Sequence, residues 1–142
     1  MKIRLLMLGK TRRPEMRVVL DDYVKRISRS CTIEVTEVRD SHAAEKRLDA
    51  NRAAIAVLLD AGGKAWTSEE FAKWLGDLRD RGMREVIFVC GDADGFSQEL
   101  RERVKQSLAL SAMTYSHELA RVMLAEQVYR AFAILSGSAY PK

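Results

Sequence analysis

Val86-Ile-Phe-Val-Cys90, followed at once by Gly91-Asp92-Ala93-Asp94-Gly95, is the stretch that decides the fold. Five consecutive apolar residues leave no polar face, which predicts a strand buried on both sides, as in a parallel sheet covered by helices. The glycines then stop the strand, and Ser97 offers an N-cap for a helix through about Lys105. Strand, glycine turn and helix in that order form one βα unit.

The same rhythm extends in both directions. Residues 2–8 are an apolar run ending at Gly9, and beyond Pro14 the apolar positions Met16, Val19, Leu20, Tyr23, Val24 and Ile27 have helical spacing. Residues 32–38 alternate Ile33, Val35 and Val38 with polar neighbours, residues 43–52 are helix-prone, and residues 55–59 are a second buried-type strand stopped by Asp60 and Gly62-Gly63. Thr67 and Glu70 have capping-box spacing ahead of Phe71, Trp74, Leu75 and Leu78, and Gly82 closes that helix. A short apolar stretch near 108–113 precedes a long final helix from Ser116. Five strands alternating with helices predict an α/β fold, a mainly parallel sheet flanked by helices. With 142 residues, 47% of them hydrophobic, the chain suits a single domain over 1–142, without repeats or linkers.

The final helix carries Leu119, Val122, Met123, Leu124, Val128, Tyr129, Phe132, Ile134 and Leu135, apolar around most of its circumference. A domain this small hardly wraps a terminal helix completely, so a partner subunit is expected to cover part of it; packing between sheet and loops is the other reading. Lys plus Arg number 24 against 20 Asp plus Glu, a net charge of +4 that suits a polyanionic partner without establishing one. Cys31 and Cys90 have no CxxC spacing and no signal-like segment opens the chain, so a reducing cytoplasm is expected. His42 and His117 fall in no clustered ligand pattern, which argues against a metal site, and the apolar runs are far shorter than a membrane span.

The 91–95 turn lies where open α/β sheets bind ligands, at the carboxyl end of a strand. It is not GxGxxG, and Asp92 and Asp94 would repel a pyrophosphate, so a neutral or cationic cofactor fits better. Asp60-Ala61-Gly62-Gly63-Lys64 predicts a second glycine loop beside it, the two defining a cleft, although each is also ordinary strand-end punctuation. His117, at a loop-to-helix entry, is placed for proton transfer or simply for helix capping. Lys10, Arg12, Arg13 and Arg17 are a basic run suited either to phosphates or to solvent.

The opening Met1-Lys2-Ile3, the 91–95 loop, the tail Leu108-Ala-Leu-Ser-Ala-Met-Thr-Tyr-Ser-His117-Glu-Leu-Ala-Arg121-Val, then Glu126-Gln-Val-Tyr129-Arg130-Ala-Phe132, Gly137 and Tyr140 together resemble the RlmH family. These are ribosomal RNA large subunit pseudouridine methyltransferases of the SPOUT superfamily. The resemblance spans the chain and is most specific in its last third. It implies an α/β fold whose C-terminal segment threads a trefoil knot, against the general rule that chains are unknotted. It also implies a homodimer, S-adenosylmethionine as cofactor, no metal, and methylation of N3 of a pseudouridine in 23S ribosomal RNA, on the assembled ribosome. By position, the resemblance places the cofactor against Leu59, Gly91, Leu110, Ser111, Ala112, Met113, Thr114 and Tyr115. It makes His117, Arg121, Arg130 and Tyr140 the catalytic candidates for base, orientation and RNA contacts.

Three positions depart from the family pattern: Asp92 in place of a second glycine, Ser116 in place of a proline, and Pro141 in place of a histidine after Tyr140. The alternatives they leave open are a ribosome-binding protein with catalysis weakened or lost, or an RNA methyltransferase with another target nucleotide.

Overall fold

A computed structural model of the chain describes residues 1–140. Pro141 therefore lies outside the described residues. The elements run β1 (Lys2–Leu8), α1 (Pro14–Ile27), β2 (Thr32–Val38), α2 (Ser41–Asp49), β3 (Ile55–Ala65), α3 (Ser68–Asp80), β4 (Glu85–Cys90), α4 (Gln98–Arg103), β5 (Gln106–Ala109) and α5 (His117–Ser136). All strand pairings are parallel, in the order β2-β1-β4-β3-β5.

Period-two alternation sorts the central strands into two cores. Ile3, Leu5 and Met7 of β1 and Val86, Phe88 and Cys90 of β4 face α1, α3 and α5, whereas Leu6, Leu8, Ile87 and Val89 face α2 and α4. Helices cover both faces of the sheet at β1 and β4, which is why their sequences read as continuous apolar runs. Thr67 forms the capping box with Glu70 as the spacing predicts, and Gly82 follows that helix with φ +82°. α5 packs against both α1 and α3. It buries Val122, Leu124, Ala125, Val128, Ala131, Phe132 and Ala133, so much of its apolar circumference is covered within the chain. Leu119 remains 36% exposed and Met113, just ahead of the helix, 73%.

Two expectations are corrected. β3 does not stop at Asp60; it continues through Gly62 and Gly63 to Ala65, with a register shift against β5 between Leu59 and Lys64. Gly63 serves close approach: a Cβ there would sit 2.7 Å from the Ser107 carbonyl carbon and 2.8 Å from the Leu108 nitrogen. β5 is also shorter than the apolar stretch, ending at Ala109, so that residues 110–115 become loop. Replacing Gly63 with alanine is expected to cost about 1–3 kcal/mol, because backbone rather than a flexible side chain must move. Thermal unfolding should show the loss, and an unshifted melting temperature would mean β5 yields freely.

Candidate functional site

The site follows from helix placement. β4 is followed by α4 on one face of the sheet, while its neighbours β1 and β3 are followed by α1 and α3 on the other. Connections therefore diverge on both sides of the β4 carboxyl end, opening a crevice on each side of the 91–95 loop.

The crevice toward β3 is a shallow, open cleft of about 180 Å³ lined by Leu59, Asp60 and Ala61 from β3, residues 90–92, 95 and 96 around β4, Arg101 from α4, and Leu110, Ser111, Met113, Thr114, Tyr115, His117 and Ala120. Seven of the eight cofactor candidates line it; Ala112 belongs to the same loop but does not line the cleft. The Met113 N–H donates to Ser111 Oγ (2.9 Å), and no other backbone hydrogen bond of residues 111–115 is present among the described residues. That main chain is therefore available to a ligand.

In the 91–95 loop, Asp92 Oδ1 accepts from the Asp94 N–H (2.9 Å) and the Gly95 N–H donates to the Asp92 carbonyl (3.1 Å). Gly95 takes φ +77°, whereas Asp92 has no positive φ, so a glycine is not required at position 92. A Cβ on Gly91 would lie 3.4 Å from the Phe96 ring. Ser116 supplies what a proline there does not, a hydroxyl cap, and its Oγ accepts from the Leu119 N–H (3.4 Å). At the cleft wall Cys90 is buried, which pushes its thiol up to about 12 and disqualifies it as a nucleophile near neutral pH.

The crevice toward β1 is lined by Leu8, Gly9, Lys10, Arg12, Arg39, residues 92–94, His117 and Glu118. Of the basic run, only Lys10 and Arg12 reach it. Arg17 donates to the Thr11 carbonyl and Glu37, and Arg13 pairs with Glu15. Arg39, which no local pattern singles out, joins Lys10 and Arg12 there, and the carboxylates of Asp92, Asp94 and Glu118 line the same crevice, so its charge is mixed. His117, the first residue of α5, borders both crevices, with Nε2 3.9 Å from Glu118 Oε2.

Arg121 lies in neither crevice. It is fully buried, and its guanidinium donates to the Leu8 carbonyl (2.5 Å), the Gly9 carbonyl (3.2 Å) and Thr11 Oγ1 (3.0 Å). The Arg13 N–H donates to Glu118 Oε1 (2.9 Å) and the Thr11 N–H to Glu37 Oε2 (3.0 Å). The loop carrying Lys10 and Arg12 is thus stapled to the first turns of α5. The Arg13 bond holds the Glu118 carboxyl below the usual carboxylate range.

Arg130 and Tyr140 stand elsewhere. Both bond Glu126, Arg130 through Nη2 (2.6 Å) and Tyr140 through its hydroxyl (2.5 Å), and the Tyr140 ring lies 4.7 Å from that of Tyr129. At 1.5 Å per helical residue, Arg130 is about 20 Å along α5 from His117. Sequence reading missed Arg39, Arg101, Glu118 and Glu126, whose partners are set by tertiary structure or by one helical turn rather than by a motif.

A parallel α/β sheet with crevices flanking one glycine loop, a loop of free main chain, and a histidine shared by the two crevices defines an α/β protein with a ligand cleft at the carboxyl end of β4. The family model described as predicted SPOUT methyltransferase matches residues 1–141. The ribosomal RNA large subunit methyltransferase H of Koribacter versatilis is 39% identical over 142 residues, 99% of this chain and 97% of that protein. The protein of the same name from Geobacter sulfurreducens is 38% identical over 151 residues, 99% of each chain. Among solved structures, tRNA (m1G37) methyltransferase from Aquifex aeolicus aligns with a TM-score of 0.61 at 12% identity, covering 92% of this chain and 70% of that one. The SpoU methyltransferase AviRb from Streptomyces viridochromogenes, in complex with the cofactor AdoMet, gives 0.54 at 10% identity; this chain spans 58% of its length. Those two show the fold. The chain belongs to the SPOUT methyltransferases and, within them, to the family of ribosomal RNA large subunit methyltransferase H.

Proposed function

We propose that this chain transfers a methyl group from S-adenosylmethionine to N3 of a pseudouridine in 23S ribosomal RNA, as a cytoplasmic homodimer acting on the assembled ribosome. The observation that carries the reading is the position of His117 at the shared rim of the two crevices that flank the 91–95 loop. A group at that rim meets the methyl donor on one side and the nucleotide on the other.

The residues fit the cofactor. Leu59, Leu110 and Tyr115 offer apolar contact, the 111–115 main chain offers hydrogen bonds, and Asp92 faces the cleft as a carboxylate suited to a cation. When bound, S-adenosylmethionine supplies an already activated methyl group. What remains for the protein is to align the accepting nitrogen and to take its proton, where alignment alone supplies roughly 7–11 kcal/mol at best. His117 is the group within reach for the proton, and Lys10, Arg12 and Arg39 hold the RNA phosphates.

Arg130, about 20 Å along α5, and Tyr140, beyond the helix end and bonded to Glu126, stand apart from His117 within the chain. In a two-fold dimer built on the exposed side of α5, with Leu119 and Met113 in the interface, the same residues of the partner subunit approach it, giving one site from two chains. The family resemblance further supports a trefoil knot in the C-terminal segment. Mixing His117→Ala with Arg130→Ala/Tyr140→Phe tests the dimer: statistical mixing makes half the dimers hybrid, each with one intact site, so activity should return to about a quarter of wild type. A mixture no more active than its parents would place both sets of residues in one chain.

Purified protein incubated with labelled S-adenosylmethionine and ribosomes from cells lacking the modification should deposit label on N3 of a 23S pseudouridine, mapped by mass spectrometry. Label on another nucleotide would replace the substrate assignment, and cofactor binding without label would replace the enzyme by a binding protein.

A further inference from the structure

The cofactor cleft carries a charged pair that neither the family motifs nor the reaction has used. Asp60 lies in the shifted part of β3, and Arg101 lies 41 positions later in α4. Arg101 Nη1 donates to Asp60 Oδ2 (3.0 Å) and Nη2 to Asp60 Oδ1 (3.4 Å), a two-pronged pair joining the two rims. Both side chains line the cleft, and the Arg101 guanidinium lies over the Phe96 ring, 5.5 Å from its centroid. Phe96 is the residue packed against Gly91.

Charge divides this cleft. Around residues 110–115 it is neutral and rich in main chain, whereas among its described lining residues Arg101 is the one permanent cation. S-adenosylmethionine has a matching division. Its adenosine end is neutral, and its other end is an α-amino acid zwitterion, one carboxylate beside one ammonium.

We propose that Arg101 and Asp60 recognise the amino-acid end of the cofactor, Arg101 taking the carboxylate and Asp60 the ammonium, by exchanging their mutual pair for contacts with the ligand. Two observations make the exchange favourable. The side chains are 42% and 26% exposed, so the pair is a solvated one that contributes little to folding and opens at little cost. The planar guanidinium fits a carboxylate in the same two-pronged manner, and its seat on Phe96 keeps it at the rim when Asp60 is released. The pair also explains why Asp60 does not impose a net negative charge on the cleft: in the free protein it is balanced, and with ligand bound each charge keeps a partner.

The inference rests on S-adenosylmethionine being the cofactor, and calorimetry on the full-length protein separates the two. S-adenosylhomocysteine keeps the amino-acid end, 5′-methylthioadenosine lacks it, and decarboxylated S-adenosylmethionine lacks only the carboxylate. Arg101→Gln should weaken S-adenosylhomocysteine binding at least about tenfold while leaving 5′-methylthioadenosine within about twofold, and Asp60→Asn should do the same more weakly. Wild-type protein should bind decarboxylated S-adenosylmethionine at least about tenfold less tightly than S-adenosylmethionine, a comparison that needs no variant to fold. Equal loss for both thioether ligands in Arg101→Gln, or indifference of the wild type to the carboxylate, overturns the inference alone. A wild-type protein that binds no S-adenosylmethionine overturns the cofactor reading and this inference with it.

Discussion

Replacing His117 with alanine is expected to lower methyl transfer about 10²- to 10⁴-fold, the range for a positioned proton acceptor, while leaving cofactor affinity within about twofold. The separation follows from its place. His117 borders the cofactor cleft but is one of many lining groups, and the free main chain of residues 111–115 is untouched by losing an imidazole. Single-turnover transfer with ribosomes, beside calorimetry with S-adenosylhomocysteine, provides the two readouts. Transfer that falls less than about fivefold would move the proton to another group, and affinity that falls in parallel would make His117 a cofactor residue.

Arg121→Met should destabilise the fold by about 3–5 kcal/mol, although it preserves side-chain length, because it strips charged donors from buried and part-buried acceptors. The Leu8 carbonyl, the Gly9 carbonyl and Thr11 Oγ1 each lose a bond to a guanidinium with no solvent exposure. For a chain of this length the melting temperature should drop on the order of 10 °C, and a fall below about 3 °C would show that the β1–α1 loop repacks around the missing charge. Arg121 holds the loop that brings Lys10 and Arg12 to the crevice toward β1. Glu118 holds the same loop from the Arg13 N–H, and its lowered pKa sets the sign of the acid dependence. Its contribution is complete above the ordinary carboxylate value of about 4.3 and is lost as pH falls through the lower folded value. The loop should therefore loosen only in acid.

The residues that sequence patterns located are those whose role is local. Val86-Ile-Phe-Val-Cys90 is buried on both faces because α1, α3 and α5 cover one and α2 and α4 the other, and an all-apolar run suits that position. Thr67 and Glu70 cap α3 across three residues, and Gly95 turns the chain at a positive φ, both within reach of a short window. The family resemblance carried the loop 110–115 to the cleft with one exception, Ala112, because residues a few positions apart on a loop turn to different sides.

Tertiary structure decided the rest. Gly62 and Gly63 read as a strand end, yet β3 runs through them, since what matters is the backbone of β5 approaching from more than 40 positions away. Arg121 and Arg130 share one helix and one charge, but burial commits the first to main-chain carbonyls while Glu126 and Tyr140 engage the second about 14 Å further along the helix. By itself the sequence determined the parallel α/β class, the presence of a cleft at the β4 glycine loop, and the family, because strand burial, turn conformation and motif order are written in consecutive residues. Only the fold decided which charges stand free at the site and which are committed to other partners. A charge pairs through space, at distances near 3 Å, between positions that its own neighbours in the chain do not specify.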